Sequence, residues 1–343
     1  MEINERMKTI LAAVVHRYIT TAEPVSSAII AQKYHLSSST ATIRHEMYLL
    51  EKNDYLWQPH TSSGRIPTDK GYRFYVDNLM VKNYLQEKEK REIIQIYKKS
   101  KEFEEAMKVT SQLLSKLTDN IGFVLAPVIY NNIVKEIQFL SVGNNRILTV
   151  IVTDAGLVCQ KIISVSGEIN KGRLNYLSNF INSKLAEKDI DITNLNNILL
   201  DELEKIISFQ ERFNYTHNFL EECFNIKYSE NKVYLDGRIN IMKHPEFQET
   251  DKLNYILSLI EEENILAATI RRYLGFRKTK IIIGKESKLK EMQNCSLVTS
   301  EYRIKGKSAG AIGILGPTRM DYPRMISIAE YISDKLSEIL SDF

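Results

Sequence analysis

Hydrophobic residues recur at intervals of three and four along the first 51 residues, which is the spacing of an amphipathic helix. The pattern predicts three helices, at about 4–19, 26–34 and 38–51. Pro24 separates the first two, because the residue before a proline avoids the helical conformation. In the third helix Ile43, Met47 and Leu50 fall on one face, which we expect to be buried.

The opposite face of the third helix is polar and faces outward. It is formed by Ser39, Thr40, Thr42, Arg44 and His45. A serine cap satisfies free amide donors, and the short hydroxyls let the start of the helix approach a phosphate. Arg44 and His45 have the donors needed to read base edges in a DNA groove. The alternative is an ordinary surface helix that its hydroxyls merely cap.

A short ribbon from Leu56 to Thr68 follows the third helix. We expect Gly64 to permit a tight reversal and Arg65 to reach the DNA backbone or minor groove. The other candidate contacts in the ribbon are His60, Thr61 and Ser62. Three helices and a ribbon predict a winged-helix DNA-binding domain over residues 1–83.

The rest of the chain reads as an α+β arrangement. The charged run around 86–92 predicts a helical connector at 84–100, followed by an apolar stripe at helical spacing up to Ile121. Alternating patterns predict strands at 134–142, 147–153, 157–165, 280–284, 297–304 and 309–315, before a final helix at 322–340. The predicted strands form an early and a late group with a mainly helical pattern between them. We therefore expect one α+β domain from 101–167 and 279–343, interrupted by a mainly helical insertion at 168–278. Within the insertion, apolar stripes predict helices at 174–185, 195–213 and 253–260, with a short strand at 233–235.

Composition changes this picture little. The formal net charge is +3, and residues 1–80 contain nine Lys and Arg against eight Asp and Glu. A role in DNA binding therefore depends on where cations lie, and Arg44, Arg65, Lys70 and Arg73 surround the predicted helix and ribbon.

The three cysteines are far apart, which argues against disulfides and a zinc site. The sequence has neither a leader pattern nor a long apolar span, so we expect a cytoplasmic protein without metal or cofactor.

Two motifs in this sequence are distinctive. One runs from Ala41 through Pro59-His60-Thr61-Ser62-Ser63-Gly64-Arg65-Ile66-Pro67-Thr68-Asp69 to Asp77, and the other spans 313–322. Both resemble the HrcA family of heat-inducible transcription repressors. The resemblance implies a winged helix, a GAF-like domain and an inserted dimerisation domain. It further implies a homodimer that binds the CIRCE inverted repeat upstream of chaperone operons. Repression would be assisted by the GroEL chaperonin and lost on heating.

Two other classes of protein remain open. A ligand-responsive regulator would use the GAF-like domain as its sensor and would need a polar-lined cavity between the strands and the last helix. An enzyme is least expected, since neither a phosphate-binding loop nor a dinucleotide fingerprint occurs. The segment 318–321 could hold an anion, although a structural pair between Arg319 and Asp321 is favoured.

Overall fold

The computed structural model describes residues 3–34, 39–60, 63–100, 102–127, 133–154, 158–164, 171–187, 232–272 and 279–342. The helices in these residues are α1 (Glu5–Thr21), α2 (Ser27–Lys33), α3 (Thr40–Lys52), α4 (Asp69–Asn78), α5 (Glu87–Tyr97), α6 (Phe103–Thr118), α7 (Lys171–Glu187), α8 (Arg238–Ile241), α9 (Thr250–Glu261), α10 (Glu263–Arg272) and α11 (Tyr322–Asp342). The strands are β1 (Leu56–Trp57), β2 (Ile66–Pro67), β3 (Ile121–Leu125), β4 (Val134–Ser141), β5 (Arg146–Thr153), β6 (Val158–Ser164), β7 (Val233–Asp236), β8 (Thr279–Ile283), β9 (Cys295–Ile304) and β10 (Lys307–Pro317). This mixture of helices and sheets agrees with the predicted α+β class. None of the described helices combines the length and the apolar character that a bilayer crossing requires.

The chain divides into two compact units. The first contains residues 1–125, 233–302 and 311–336, and the second contains 126–232, 303–310 and 337–343.

The first unit begins with a module of helices α1 to α4 and the β1–β2 ribbon, residues 3–78, which we call the N-terminal module. Its three leading helices lie where the hydrophobic spacing predicted them, and α3 packs against both α1 and α2. Ile43, Met47 and Leu50 are buried, as expected. Helix α4 ends at Asn78, five residues before the predicted end of the DNA-binding domain at position 83.

The rest of this unit contains a five-stranded sheet in the order β7-β3-β10-β9-β8, together with several helices. Strand β3 pairs antiparallel with both β10 and β7. The strand is buried at every position, so its continuous apolar run was mistaken for the end of a helical stripe. Helices α9 and α10 bury Ile256, Ile260 and Leu266 in the same hydrophobic core as Phe123.

The second unit contains a three-stranded antiparallel sheet in the order β4-β5-β6. Helix α7 lies along the free edge of β4, where the Asn182 side chain bonds both backbone groups of Ile137 at 2.8 and 3.0 Å. The Ser178 hydroxyl accepts from the Phe139 amide at 3.0 Å. These bonds satisfy backbone groups that an edge strand would otherwise leave open.

This topology corrects the predicted domain boundaries. The early strands at 134–164 do not join the later ones, because they form a sheet of their own in the other unit. Conversely, β7, α9 and α10 belong with the five-stranded sheet, although we expected them in the insertion 168–278. The predicted helix at 174–185 is present as α7. The predicted helix at 195–213 lies outside the described residues.

Candidate nucleic-acid interface

Helix α3 begins at a serine cap that holds its first turn in place. The Ser39 hydroxyl accepts a hydrogen bond from the Thr42 amide at 3.1 Å and lies 2.9 Å from the Thr42 hydroxyl. The Ser39 carbonyl accepts from the Ile43 amide at 3.0 Å. The amides of this turn are therefore oriented before any ligand arrives.

The polar face of α3 points to solvent. Thr40, Arg44 and His45 are exposed, and Thr42 is half-buried. Among the described residues, Arg44 forms no ion pair or hydrogen bond, so its guanidinium is available to a ligand. Tyr48, which was not among the predicted contacts, lies one turn beyond Arg44 and is 52% exposed. The signal for Tyr48 was present, since residues four apart share one helix face.

The β1–β2 ribbon has two residues in each strand, with Trp57 paired to Ile66. His60 is exposed, and its amide donates to the Ser63 hydroxyl at 2.9 Å. That hydroxyl in turn donates to the His60 carbonyl at 2.7 Å, which closes the turn around the tip. Thr61 and Ser62 lie outside the described residues.

Gly64 serves close packing rather than the tight reversal that we expected. A Cβ atom at this position would lie 2.4 Å from the carbonyl carbon of Val25 and 2.6 Å from its nitrogen. Only a residue without a side chain lets the ribbon approach the α1–α2 turn this closely. Two backbone hydrogen bonds hold the ribbon in this position. The Arg65 amide donates to the Val25 carbonyl, and the Arg65 carbonyl accepts from the Val25 amide, both at 2.9 Å.

Arg65 does not extend from the ribbon tip, contrary to expectation. Its side chain is 12% exposed, and its Nε donates to Glu51 Oε2 at 2.9 Å. Glu51 lies in the last turn of α3. Arg65 therefore connects the base of the ribbon to α3, and the backbone bonds to Val25 extend that connection to the α1–α2 turn.

We expected four cations, Arg44, Arg65, Lys70 and Arg73, around the helix and ribbon, and most of them are already engaged within the protein. The Lys70 ammonium donates to the Asn53 carbonyl at 2.9 Å and lies 4.5 Å from the centre of the Tyr55 ring. Arg73 pairs with Glu286. Of the four, Arg44 is the cation placed to contact a ligand directly.

We expect Arg65→Ala to weaken DNA binding by about tenfold, the equivalent of one charge-assisted hydrogen bond of ~1.4 kcal/mol. Glu51→Gln should weaken it less, because the glutamine oxygen can still accept from Arg65 although the charge is lost. Both variants act on the same connection between ribbon and helix, so the double variant should bind no worse than Arg65→Ala alone. Fluorescence anisotropy on one DNA duplex measures all three.

The salt dependence separates this role of Arg65 from a phosphate contact. A lost phosphate contact would lower the slope of log affinity against log salt by about 0.9. We expect the slope of Arg65→Ala to equal that of the parent. Tighter binding by Glu51→Gln would contradict the positioning role, because freeing Arg65 would then have helped.

The segment 318–321 forms a structural contact with a partner that was not anticipated. Arg319 Nε donates to Glu246 Oε1 at 2.5 Å, and its Nη1 donates to the Ile19 carbonyl at 2.6 Å. Asp321 instead accepts from the Arg324 amide at the start of α11, at 3.2 Å. The arginine is structural, as favoured, but its acidic partner is Glu246 rather than Asp321.

Among the described residues outside the N-terminal module, we find no feature that favours another site. Burial raises the pKa of the Cys159 and Cys295 thiols to about 12, which keeps them protonated and poorly nucleophilic. Cys223 lies outside the described residues. A depression of about 540 Å³ lies between the β9–β10 turn and the end of α11. It is open to solvent, whereas a ligand sensor typically encloses its ligand.

A family model described as the HrcA protein C-terminal domain matches residues 104–326. The heat-inducible transcription repressor HrcA of Desulforudis audaxviator is 38% identical over 345 residues, covering 99% of this chain and 98% of that relative. The repressor of the same name from Desulforamulus reducens is 36% identical with the same coverage. The similarity thus extends from the N-terminal module to the last helix.

A solved structure of a protein described as hypothetical, at 2.2 Å resolution, aligns with a TM-score of 0.60 and 22% sequence identity. The alignment covers 99% of this chain and 98% of that protein. It supports the same overall fold for both chains.

Proposed function

Because this chain belongs to the HrcA family, we propose that it is a heat-inducible transcription repressor that binds an inverted-repeat operator as a homodimer. The operator we propose is CIRCE, upstream of chaperone operons, where occupancy blocks transcription initiation. Activity is assisted by the GroEL chaperonin and is lost on heating.

The observation that carries the proposal is the presentation of Arg44 and His45 on α3. Their side chains are exposed, while Ile43 and Met47 on the opposite face are fully buried. The serine cap fixes the first turn, so the exposed face is held rigidly before DNA arrives. We assign base reading to Arg44 and His45, and backbone contacts to Ser39, Thr40 and Thr42.

We propose that the N-terminal module is a winged helix whose tip supplies a second contact. We assign this contact to His60, Thr61 and Ser62, whose polar side chains suit phosphate or minor-groove contact. Gly64 and Arg65 set the position of this wing relative to α3. The five-stranded sheet and its helices are assigned to the GAF-like domain.

A homodimer is supported by the outer face of the β4–β6 sheet. Leu140, Val158 and Ile162 on this face are 44%, 61% and 57% exposed. Cross-strand pairing sets Leu140 beside Leu148 and Leu148 beside Ile162, so the apolar surface is continuous. Continuous exposed apolar patches mark interaction surfaces, and we assign this one to a second copy of the chain.

The test is binding to operators with altered central spacers. Insertion of about 5 base pairs turns one half-site by roughly half a helical turn, and about 10 base pairs restores the original face. We expect affinity to fall to that of an isolated half-site after the first insertion and to recover partly after the second. Affinity that does not respond to the spacer would contradict readout by a dimer.

A further inference from the structure

Arg73 connects the N-terminal module to the turn that follows strand β8. Its Nε donates to Glu286 Oε1 at 2.7 Å, and its Nη2 donates to Glu286 Oε2 at 2.5 Å. The same Nη2 also donates to the Ile281 carbonyl at 2.8 Å. Two parallel bonds to one carboxylate fix the orientation of a guanidinium as well as its position.

Asp69, one turn earlier on α4, makes a second connection to this turn. Its Oδ2 accepts from the Lys285 amide at 2.9 Å. Gly284 has a φ of +51°, and a Cβ atom there would lie 2.3 Å from Asp69 Oδ2. Burial raises the pKa of the Asp69 carboxyl, while the Lys285 amide acts in the opposite direction. The turn therefore fits closely around this side chain.

Two further contacts join the module to the segment after β10. Arg319 reaches the Ile19 carbonyl in the last turn of α1 while paired to Glu246. The buried rings of Tyr72 and Tyr322 have centroids 5.9 Å apart. Together with the contacts of Asp69 and Arg73, these form a surface that we call the joint.

The covalent connection between the module and the rest of the chain is only partly packed. The chain between α4 and α5, residues 79–86, contains neither helix nor strand. Val81 and Tyr84 in this stretch are 82% and 79% exposed, whereas Leu85 is buried and the Asn83 carbonyl accepts a hydrogen bond from the Ser327 hydroxyl. The contacts of the joint therefore add most of the constraints on the orientation of the module.

Orientation matters when one dimer must occupy two half-sites. Two modules held at the right spacing act bivalently, and the second binding step becomes intramolecular. Modules that pivot freely retain their affinity for a half-site but lose much of this advantage.

We propose that Asp69 and Arg73 are positioning residues that hold the DNA-binding module in the orientation needed to bind both half-sites of an inverted repeat. This inference rests on the proposed operator binding. The joint contributes nothing to base recognition.

The test compares the full-length variants Glu286→Gln and Gly284→Ala with Asp77→Asn. Both Glu286 oxygens accept from Arg73, so an amide in its place sets one N–H group against another. Alanine at 284 intrudes on the Asp69 carboxylate. Asp77 is the matched control, because it pairs with Arg73 at 3.2 Å within α4 and does not cross the joint.

Affinity is measured on the complete inverted repeat and on an isolated half-site at one salt concentration. We expect Glu286→Gln and Gly284→Ala to lose about tenfold or more on the complete site and less than about twofold on the half-site. Asp77→Asn should match the parent on both. The fluorescence of Trp57, the single tryptophan, should be unchanged in all three, since the module remains folded.

The positioning role would be overturned if Glu286→Gln and Gly284→Ala lost equal affinity for the complete repeat and the half-site. It would also be overturned if they lost no affinity for the complete repeat. Loss of the native Trp57 signal together with half-site affinity would also overturn it, because the joint would then be needed for folding of the module. A parent protein that does not prefer the inverted repeat to random DNA would instead refute the proposed function, before any variant is compared.

Discussion

Replacing Arg44 with alanine is expected to abolish most discrimination between the operator and random DNA. A bidentate contact between arginine and a guanine edge contributes about 1–3 kcal/mol of discrimination. A dimer loses the contact twice, so the operator should be bound more weakly by about 2–6 kcal/mol. Arg44 is exposed and has no partner among the described residues, so its removal leaves no buried charge in the protein.

Competition titrations of operator against random duplex measure the ratio of the two affinities. The matched variant is Arg44→Lys, which keeps the positive charge but loses the planar pair of donors. We expect the lysine variant to retain affinity for random DNA and to lose most of the discrimination. Equal losses by Arg44→Ala on operator and random DNA would show that the residue binds the backbone and reads no base.

Gly64→Ala should destabilise the N-terminal module more than an ordinary glycine substitution. The new Cβ atom would lie 2.4 to 2.6 Å from three backbone atoms of Val25, and backbone yields less readily than a side chain. The ribbon must move away, which breaks the two hydrogen bonds between Val25 and Arg65. Two such bonds at ~1 kcal/mol each, with a packing cost of about 1–3 kcal/mol, give a loss of roughly 3–5 kcal/mol.

Thermal unfolding followed by Trp57 fluorescence measures the stability lost by the N-terminal module. The probe is local, because Trp57 lies in β1 of the same ribbon. Gly143→Ala is the control. Gly143 has a φ of +83°, but a Cβ atom there would lie within 4 Å of no described atom outside its chain neighbours, so alanine adds only backbone strain of about 1–2 kcal/mol. A Gly64→Ala protein with the parent's melting temperature and operator affinity would contradict the close packing of the ribbon.

Local features were predictable because their physical causes lie within a few residues. Spacing of three and four set α1, α2 and α3 and identified Ile43, Met47 and Leu50 as the buried face. The Ser39 cap and the exposure of Arg44 follow from the same short stretch, so the helix that we propose reads DNA was predictable as an amphipathic helix. Strands β4 to β6 were also identified, since alternation and turn residues are local signals.

Other features depended on contacts between distant parts of the chain. Strand β3 could not be told from a helix end, since a short, wholly buried apolar run has neither period. Alternation also does not reveal which sheet a strand joins, so the early strands were expected in one sheet with the later ones. The observed strand pairing instead places β4, β5 and β6 in a sheet of their own.

The sequence by itself determined the family, the amphipathic recognition helix and the cations available around it. Only the tertiary structure decided which of those cations remain free for DNA. Arg65 and Arg73 resemble Arg44 in sequence, yet Glu51 and Glu286 pair with them, at separations of 14 and 213 residues. An arginine is available to DNA only if folding places no carboxylate within about 3 Å of it. The local sequence pattern around the arginine does not contain that information.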